Sequence, residues 1–287
     1  MTWIDGVTEL RRGRLPGALV TVVEARGHAP REAGAKMVVG PDRTWGSVGG
    51  GNVEEVAIRR ARELAEAPSR QKVSADSRPG PETMTVALSD KAEYQHGVQC
   101  CGGEVTLLIE PLAVVPAVAV FGAGHVGLEL ARILARFDLD LYLVDSRAEV
   151  LASPDLAAAV AGAVARVETR HFPVLPEAAI ADLPSGAQVL VMTHDHAEDL
   201  AICDAALRAP HLGAIGLIGS SAKWSRFRGQ LRAAGHDDAD VDKIRCPIGA
   251  GTLRSKQPAA IAVDVAAEVL ALEEAAAARP ITAPTGC

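Results

Sequence analysis

Apolar positions along this chain follow a regular pattern from about residue 114 onward. Short runs of apolar residues alternate there with longer stretches in which apolar residues recur at helical spacing. Such alternation is typical of strand–helix units that build a parallel sheet. The runs predict strands at 117–121, 141–144, 164–168, 188–192 and 213–218, and the helical spacing predicts helices at 222–234 and 258–272.

The first 113 residues follow a less regular order. Their pattern predicts helices at 3–12 and 53–66 and strands at 18–25, 36–39, 83–88 and 104–110. Asn52 is expected to cap the second helix, with Glu55 completing a capping box. Because helices and strands do not alternate strictly, we expect a smaller α+β domain over residues 1–113. Residues 114–287 are expected to form an α/β domain.

A glycine fingerprint follows the first strand of the α/β pattern. Gly122, Gly124 and Gly127 match the spacing of a dinucleotide-binding turn between a strand and a helix. The first glycine permits a tight turn, the second lets a pyrophosphate approach the backbone, and the third allows close packing of the helix. The order of strand, glycines and helix predicts a Rossmann-type domain with a parallel sheet. Such a domain either binds a dinucleotide or keeps the turn as a scaffold.

An acidic residue follows at the expected position. Asp145 ends the next predicted strand, about 20 residues after the first glycine, where a carboxylate commonly binds a ribose hydroxyl. This favours an NAD-like ligand over an NADP-like one, and the nearby Arg147 weakens that preference.

Two segments of the first domain are further candidates for chemistry. The loop Gly46-Ser-Val-Gly49-Gly50-Gly51 precedes a predicted helix and is either an anion cradle or a tight turn. Cys100 and Cys101 are adjacent and are followed by Gly102. They are either thiols accessible to a soft metal or a sulfur donor, or unreactive cysteines at a strand edge.

Several polar residues follow predicted strands of the second domain. His194-Asp-His196 with Asp199 suits either a metal site or the capping of a helix. Ser220 either holds an anion or caps the next helix. Cys203 lies in a helical pattern and is expected in the core, whereas Cys246 is expected at a strand end near the same crevice.

Composition narrows the class of protein. The chain has 287 residues, 48% of them apolar, and a net charge of −7, which gives no electrostatic reason to expect nucleic acid. Its apolar stretches are too short to span a bilayer, so no membrane association is expected. Five cysteines without Cys-x-x-Cys spacing favour a reducing cytoplasm over a disulfide framework.

These segments together resemble the XdhC/CoxI family. The resemblance rests on residues 24–31, 34–37, 46–51, 99–103, 121–127, 144–147, 192–196 and 216–220, so it spans nearly the whole chain. The sequence departs from the family pattern at Asn52, where many relatives carry a cysteine. It departs again at 247–252, an irregular version of a Pro-Ile-Gly motif.

The resemblance implies a cytoplasmic chaperone for molybdenum cofactor (Mo-molybdopterin) that is itself non-catalytic. Such a protein supports sulfuration of the cofactor by a cysteine desulfurase and inserts it into the molybdenum subunit of apo xanthine dehydrogenase. Molybdenum cofactor biosynthesis proteins are implied as further partners, and a homodimer is the expected assembly.

The resemblance also implies where the cofactor binds. Cys101 is expected to contact molybdenum or receive sulfur. The other expected cofactor-binding residues are Cys100, Gly102, Gly49, Gly50, Gly51, Gly122, Gly124, His125, Gly127 and Asp145. One alternative is an NAD(P)-dependent oxidoreductase that uses the three fingerprint glycines and Asp145 for a nucleotide. Another is a docking protein that brings the desulfurase and the target enzyme together without holding cofactor.

Overall fold

The computed structural model describes residues 1–66, 80–87, 103–249, 251 and 253–277. The chain divides into two compact units, which we call unit 1 (Met1–Val114 with Glu274–Cys287) and unit 2 (Val115–Glu273). Among the described residues, no helix is both long and apolar enough to cross a membrane.

Unit 1 is built on a five-stranded antiparallel sheet. Its elements are α1 (Trp3–Gly13), β1 (Gly17–Arg26), β2 (Lys36–Val39), β3 (Thr44–Gly46), α2 (Gly51–Glu66), β4 (Glu82–Ala87) and β5 (Glu104–Leu112). The strands lie in the order β3-β2-β1-β5-β4. Because successive strand residues point to opposite faces, Val20 and Met37 pack in the cluster formed with α2. Val38 and Trp45 pack on the other face with Leu10 of α1.

The start of α2 differs from the predicted capping box. The helix begins at Gly51, so Asn52 lies inside it. Glu54, and not Glu55, accepts the amides of the preceding loop. The capping-box prediction is wrong because the glycines turn the backbone through positive φ angles, +70° at Gly50 and +57° at Gly51. Such angles strongly favour glycine, and the turn brings the loop amides to the carboxylate of Glu54.

Unit 2 contains a six-stranded parallel sheet. Its strands are β6 (Ala117–Phe121), β7 (Asp140–Asp145), β8 (Arg166–His171), β9 (Gln188–Val191), β10 (Ile215–Leu217) and β11 (Ile244–Arg245). They lie in the order β11-β10-β9-β6-β7-β8, which is the strand order of Rossmann domains. The helices are α3 (His125–Leu134), α4 (Ala148–Leu151), α5 (Pro154–Ala159), α6 (His196–Leu207), α7 (Ser221–Ala233), α8 (Asp238–Val241) and α9 (Pro258–Ala277), with a 3-10 helix at Pro176–Asp182. The end of α9, from Glu274, belongs to unit 1.

Helices cover both faces of this sheet. Val120 of β6 packs with Leu130 of α3 and Val265 of α9, whereas Phe121 packs on the opposite face with Ile202 of α6. A strand buried on both sides needs apolar residues at every position. This burial explains why the strands appear in the sequence as continuous apolar runs.

The predicted fold class is confirmed, with a Rossmann-type parallel sheet preceded by a smaller part built on an antiparallel sheet. Strand 117–121 has the predicted bounds, and the strand predicted at 164–168 lies at Arg166–His171. The short strand β3 is not among the predicted elements. No bounds were predicted for β11, but it ends directly before Cys246, as expected for a residue at a strand end.

Candidate functional site

The glycine turn after β6 requires backbone positions that a side chain would block. Gly122 has a φ of +103°, its amide donates to the Val144 carbonyl at 2.8 Å, and a Cβ there would overlap the Met192 carbonyl oxygen. A Cβ on Gly127 would overlap the Gly122 carbonyl oxygen. The two glycines therefore let β6, β9 and α3 approach closely, at the point where the strand order reverses.

Helix α3 begins directly after this turn, at the carboxyl edge of the sheet. Gly124 is its N-cap, and within the described part of the chain no side-chain hydrogen bond caps this helix. His125, the first helical residue, is exposed. The first-turn amides, at the positive end of the helix dipole, therefore suit an anion such as a phosphate group.

Asp145 is engaged inside the protein. The residue is 4% exposed, and its Oδ2 accepts the Ala123 amide at 2.8 Å. Arg147 donates its backbone amide and its Nε to Oδ1 and its Nη2 to Oδ2, each at 2.9 Å. Burial opposes ionisation, but the hydrogen bonds from Arg147 and Ala123 outweigh it and hold the pKa of Asp145 below its ordinary value. A ribose hydroxyl would have to compete with these donors.

Arg147 brings a positive charge to the same turn. The nearest atom to a Cβ built on Gly124 is Nη2 of Arg147, at 4.0 Å, and 29% of the arginine side chain is exposed. An anion on the α3 amides would therefore lie near a guanidinium that Asp145 holds in place. Guanidinium groups bind phosphate oxygens well, because their planar donors match the spacing of those oxygens.

The glycine loop of unit 1 already binds an anion, the side-chain carboxylate of Glu54. Oε2 of Glu54 accepts the Ser47 hydroxyl at 2.6 Å, the Val48 amide at 3.2 Å and the Gly50 amide at 3.0 Å. The Gly49 amide donates to the Ser47 hydroxyl at 3.2 Å. A phosphate could use these amides if it displaced the Glu54 carboxylate. The binding role predicted for Gly49, Gly50 and Gly51 stays a prediction.

Three sequence motifs of unit 1 lie beside one another. A Cβ on Gly49 would come within 2.5 Å of Pro30 Cγ, which shows that the glycine loop contacts the loop after β1. A Cβ on Gly103 would come within 2.6 Å of the Arg26 carbonyl and 2.5 Å of the His28 carbonyl. The segment entering β5 therefore packs on that same loop. Cys100, Cys101 and Gly102 lie outside the described residues.

A buried ion pair lies farther along the carboxyl edge of unit 2. Asp199 is 0% exposed, and Lys223 Nζ lies 2.5 Å from its Oδ2 and 3.0 Å from the Ile218 carbonyl oxygen. Thr193 donates its amide (2.9 Å) and its hydroxyl (2.8 Å) to Oδ1. The Cys246 sulfur is near Gly219, where it would lie 3.4 Å from a built Cβ. We call Thr193, Asp199, Lys223 and Cys246 the strand-end cluster.

The polar residues that follow β9 and β10 cap helices. Asp195 accepts the Ala197 amide at 2.5 Å and caps α6, and Ser220 accepts the Lys223 amide at 3.2 Å and caps α7. Both capping interpretations are confirmed. Within the described residues, no group of three or more His, Cys, Asp or Glu side chains is arranged to hold a metal ion. Cys203 is fully buried in α6, as predicted.

Family comparisons agree with both units. Residues 118–269 match the model of the XdhC Rossmann domain, and residues 10–74 match the model of the XdhC and CoxI family. The chain belongs to the XdhC and CoxI family. The family resemblance predicted from the motifs is therefore confirmed.

Several known proteins are similar to this XdhC-family chain. The uncharacterized protein YqeB of Escherichia coli is 26% identical over 91% of the chain, which spans 44% of YqeB. The molybdenum cofactor insertion chaperone PaoD of Escherichia coli is 27% identical over 88% of this chain and 81% of PaoD. A crystal structure of a xanthine dehydrogenase from Bacillus halodurans aligns over 99% of this chain and 98% of its own, with 16% identity and a TM-score of 0.45.

Sequence patterns missed two residues of this XdhC-family chain, Glu54 near the start of α2 and Lys223 near the start of α7. Glu54 follows a glycine loop by a few positions, and a carboxylate there could have been recognised as a competitor for the loop amides. Lys223 stands in a segment predicted as a cationic helix, and nothing in the spacing distinguishes it from exposed cations. Its burial depends on Asp199, which is 24 positions away along the chain.

Proposed function

We propose that this protein is a non-catalytic chaperone that binds Mo-molybdopterin and inserts it into a molybdoenzyme. Membership of the XdhC and CoxI family across both units supports the proposal. Its main support is the similarity to PaoD, which extends over most of both chains. The molybdenum cofactor is the cargo here, and it supplies the receiving enzyme with its reactive metal centre.

The fingerprint turn of unit 2 fits the phosphate of such a cargo. Its support is the α3 N-terminus at Gly124, which has no side-chain cap in the described part of unit 2, together with the Arg147 guanidinium beside it. In this proposal the amides of Gly124 and His125 and the guanidinium of Arg147 bind the phosphate, while Gly122 and Gly127 let the backbone approach closely. Asp145 orients Arg147 and does not contact the cargo.

The loop of unit 1 fits a phosphate less well. The carboxylate of Glu54 already accepts the Val48 and Gly50 amides, so a phosphate could use these amides only by displacing it, whereas no side chain caps the α3 amides in the described part of unit 2. We therefore assign the phosphate to the fingerprint turn. Gly49, Gly50 and Gly51 then serve to turn the chain into α2.

Cys101, together with Cys100, is proposed to contact molybdenum or its sulfur ligand, and Gly102 to allow the approach. A thiolate is a soft ligand, which suits molybdenum and sulfur chemistry. The proposal includes support of sulfuration by a cysteine desulfurase. It also includes delivery to the molybdenum subunit of xanthine dehydrogenase, supply by cofactor biosynthesis proteins, a homodimeric assembly and a cytoplasmic location. These finer parts rest on the motif resemblance.

A binding titration tests the proposal. Mo-molybdopterin released from a molybdoenzyme is added to purified protein, and retained pterin is measured as its fluorescent oxidation product. We expect saturable binding by the wild-type protein, weakened at least tenfold by Arg147→Met, which removes a charged hydrogen-bond donor. Cys101→Ser is expected to weaken binding similarly, whereas Cys203→Ala, in the core of unit 2, should not. Absence of binding by the wild type would refute the proposal.

An NAD(P)-dependent oxidoreductase is the second candidate. The Rossmann strand order and the glycine turn favour it, whereas the engagement of Asp145 by Ala123 and Arg147 disfavours a ribose at that carboxylate. This candidate predicts that NAD(H) or NADP(H) binds at micromolar concentration and is oxidised or reduced in the presence of a substrate. The chaperone proposal predicts no such turnover.

A further inference from the structure

The buried ion pair of the strand-end cluster lies where ligands usually bind. Lys223 is 11% exposed and Asp199 is 0% exposed by side chain, and both lie at the carboxyl ends of β9 and β10. Lysine is rarely buried to this degree unless it is paired. A buried ion pair contributes little to stability on average, because desolvation offsets the attraction. Its position at this edge of a Rossmann sheet therefore calls for a functional explanation.

The ammonium of Lys223 retains capacity for a further hydrogen bond. It carries three donors, and in the described structure its hydrogen-bond acceptors are Asp199 Oδ2 and the Ile218 carbonyl oxygen. Phe227 lies beneath it, with the ring centroid 5.3 Å from Nζ. Because Asp199 balances the charge, the remaining donor suits a neutral acceptor such as an amide-type carbonyl oxygen. A phosphate dianion would meet the Asp199 carboxylate as well as the ammonium. It would also lack the helix amides, uncapped within the described residues, that accompany the Arg147–Asp145 pair, because side chains cap both α6 and α7.

The cluster is continuous with the fingerprint turn. A Cβ on Gly122 would lie 2.8 Å from the Cα of Thr193. The Thr193 hydroxyl donates a hydrogen bond to the Asp199 carboxylate, which forms an ion pair with Lys223. On the far side, Cys246 lies near Gly219, next to the Lys223 side chain. Burial raises the pKa of the Cys246 thiol to about 11, so the thiol that lines the site is uncharged near neutral pH.

We propose that Lys223 donates a hydrogen bond to the amide-type carbonyl of a planar heterocycle whose phosphate is bound at the Gly122–Gly127 turn. Thr193 and Asp199 position the ammonium, and the uncharged Cys246 lines the subsite. The inference deepens the proposed function, on which it rests for the phosphate-bearing ligand. The heterocycle is the pterin of the cargo or, in the second candidate function, a nicotinamide.

Two probes that lack one half of the ligand separate the subsites. Neopterin supplies a neutral pterin without phosphate, and inorganic phosphate supplies the anion alone; both are titrated by calorimetry against wild-type protein, Lys223→Met and Arg147→Met. We expect Lys223→Met to weaken the binding of neopterin about tenfold and that of phosphate less than twofold. Arg147→Met is expected to weaken the binding of phosphate about tenfold and that of neopterin less than twofold. Retained phosphate binding also shows that Lys223→Met is folded.

A second measurement needs no variant. Reductive methylation of Lys223, followed by mass spectrometry, should slow at least threefold when neopterin is present, while methylation of the exposed Lys243 stays unchanged. Equal neopterin affinity in wild type and Lys223→Met, or no protection of Lys223 by either neopterin or nicotinamide mononucleotide, would overturn the ring-binding inference. Phosphate binding could survive each of these results, so the inference can fail while the chaperone proposal stands. Protection by nicotinamide mononucleotide alone would keep the ring subsite but contradict the chaperone proposal.

Discussion

Replacing the carboxylate of Asp145 by an amide should loosen the fingerprint turn. In Asp145→Asn, one oxygen remains as an acceptor, and an NH2 group faces N–H donors of Ala123 or Arg147. Hydrogen bonds to a charged group contribute about 1.5–3 kcal/mol each. Solvent can recover part of this on the arginine, which is 29% exposed.

We therefore expect a loss of about 2–3 kcal/mol in the free energy of unfolding at pH 7 for Asp145→Asn. For a domain the size of unit 2, this corresponds to a decrease in Tm of about 4–12 °C. The main contribution comes from the buried Ala123 amide, which keeps no charged acceptor.

The effect should depend on pH in a defined direction. The pKa of Asp145 is lowered in the folded protein, so its stabilisation is present above the pKa of the unfolded chain, about 3.9. It is lost as pH falls through the lower folded pKa. The difference in the free energy of unfolding between wild type and Asp145→Asn should therefore have its full value at pH 7 and become smaller below about pH 4.

Urea denaturation followed by circular dichroism measures both effects. Asp182→Asn, at an exposed position of unit 2, is the matched control and should change the free energy of unfolding by less than about 0.5 kcal/mol. If Asp145→Asn were as stable as the wild type at pH 7, or if the difference did not narrow in acid, the role assigned to this carboxylate would be wrong.

Two further stability predictions follow from the glycine positions and the unit 1 loop. Gly127→Ala should lower the free energy of unfolding by at least about 2 kcal/mol, because its Cβ would overlap the Gly122 carbonyl oxygen. Gly229→Ala is the control, because the space around Gly229 in α7 is open. It should be neutral or raise the free energy of unfolding by up to about 1 kcal/mol. Thermal unfolding of the two variants distinguishes them, and equal effects would contradict the packing. Glu54→Ala should lower the free energy of unfolding by about 2 kcal/mol, because three donors lose their acceptor. Glu55→Ala, at an exposed position, should change the midpoint of urea denaturation little. Similar midpoints for the two variants would contradict the role of Glu54.

The sequence allowed the parallel sheet to be predicted because its strands are buried on both faces. Val120 and Phe121 pack on opposite sides, which requires an uninterrupted apolar run. The edge strand β8 carries Arg166, Glu168 and Arg170, two of which form ion pairs with the third. Its polar character shifted the prediction toward the apolar residues that precede it. Strands as short as β11 give no periodic signal.

The candidate site was harder to predict because its contacts join distant parts of the chain. Asp145 stands at the position of a ribose-binding acid, yet its oxygens bond to Ala123 and Arg147. The choice between ligand and internal partner depends on side-chain geometry that the motif does not encode. The carboxylate of Glu54 likewise accepts the Gly50 amide, in a loop whose glycines alone suggest a free anion-binding site.

The most direct test of the chaperone proposal is the cofactor content of the protein purified from a molybdenum-replete host. Bound pterin is measured by oxidation to its fluorescent form, and molybdenum by elemental analysis of the same sample. The proposal predicts pterin and molybdenum in equal amounts, both lost in the Cys100→Ala/Cys101→Ala variant and retained in Cys203→Ala. A protein without pterin whose Tm rises on addition of NAD would contradict the proposal and favour the oxidoreductase.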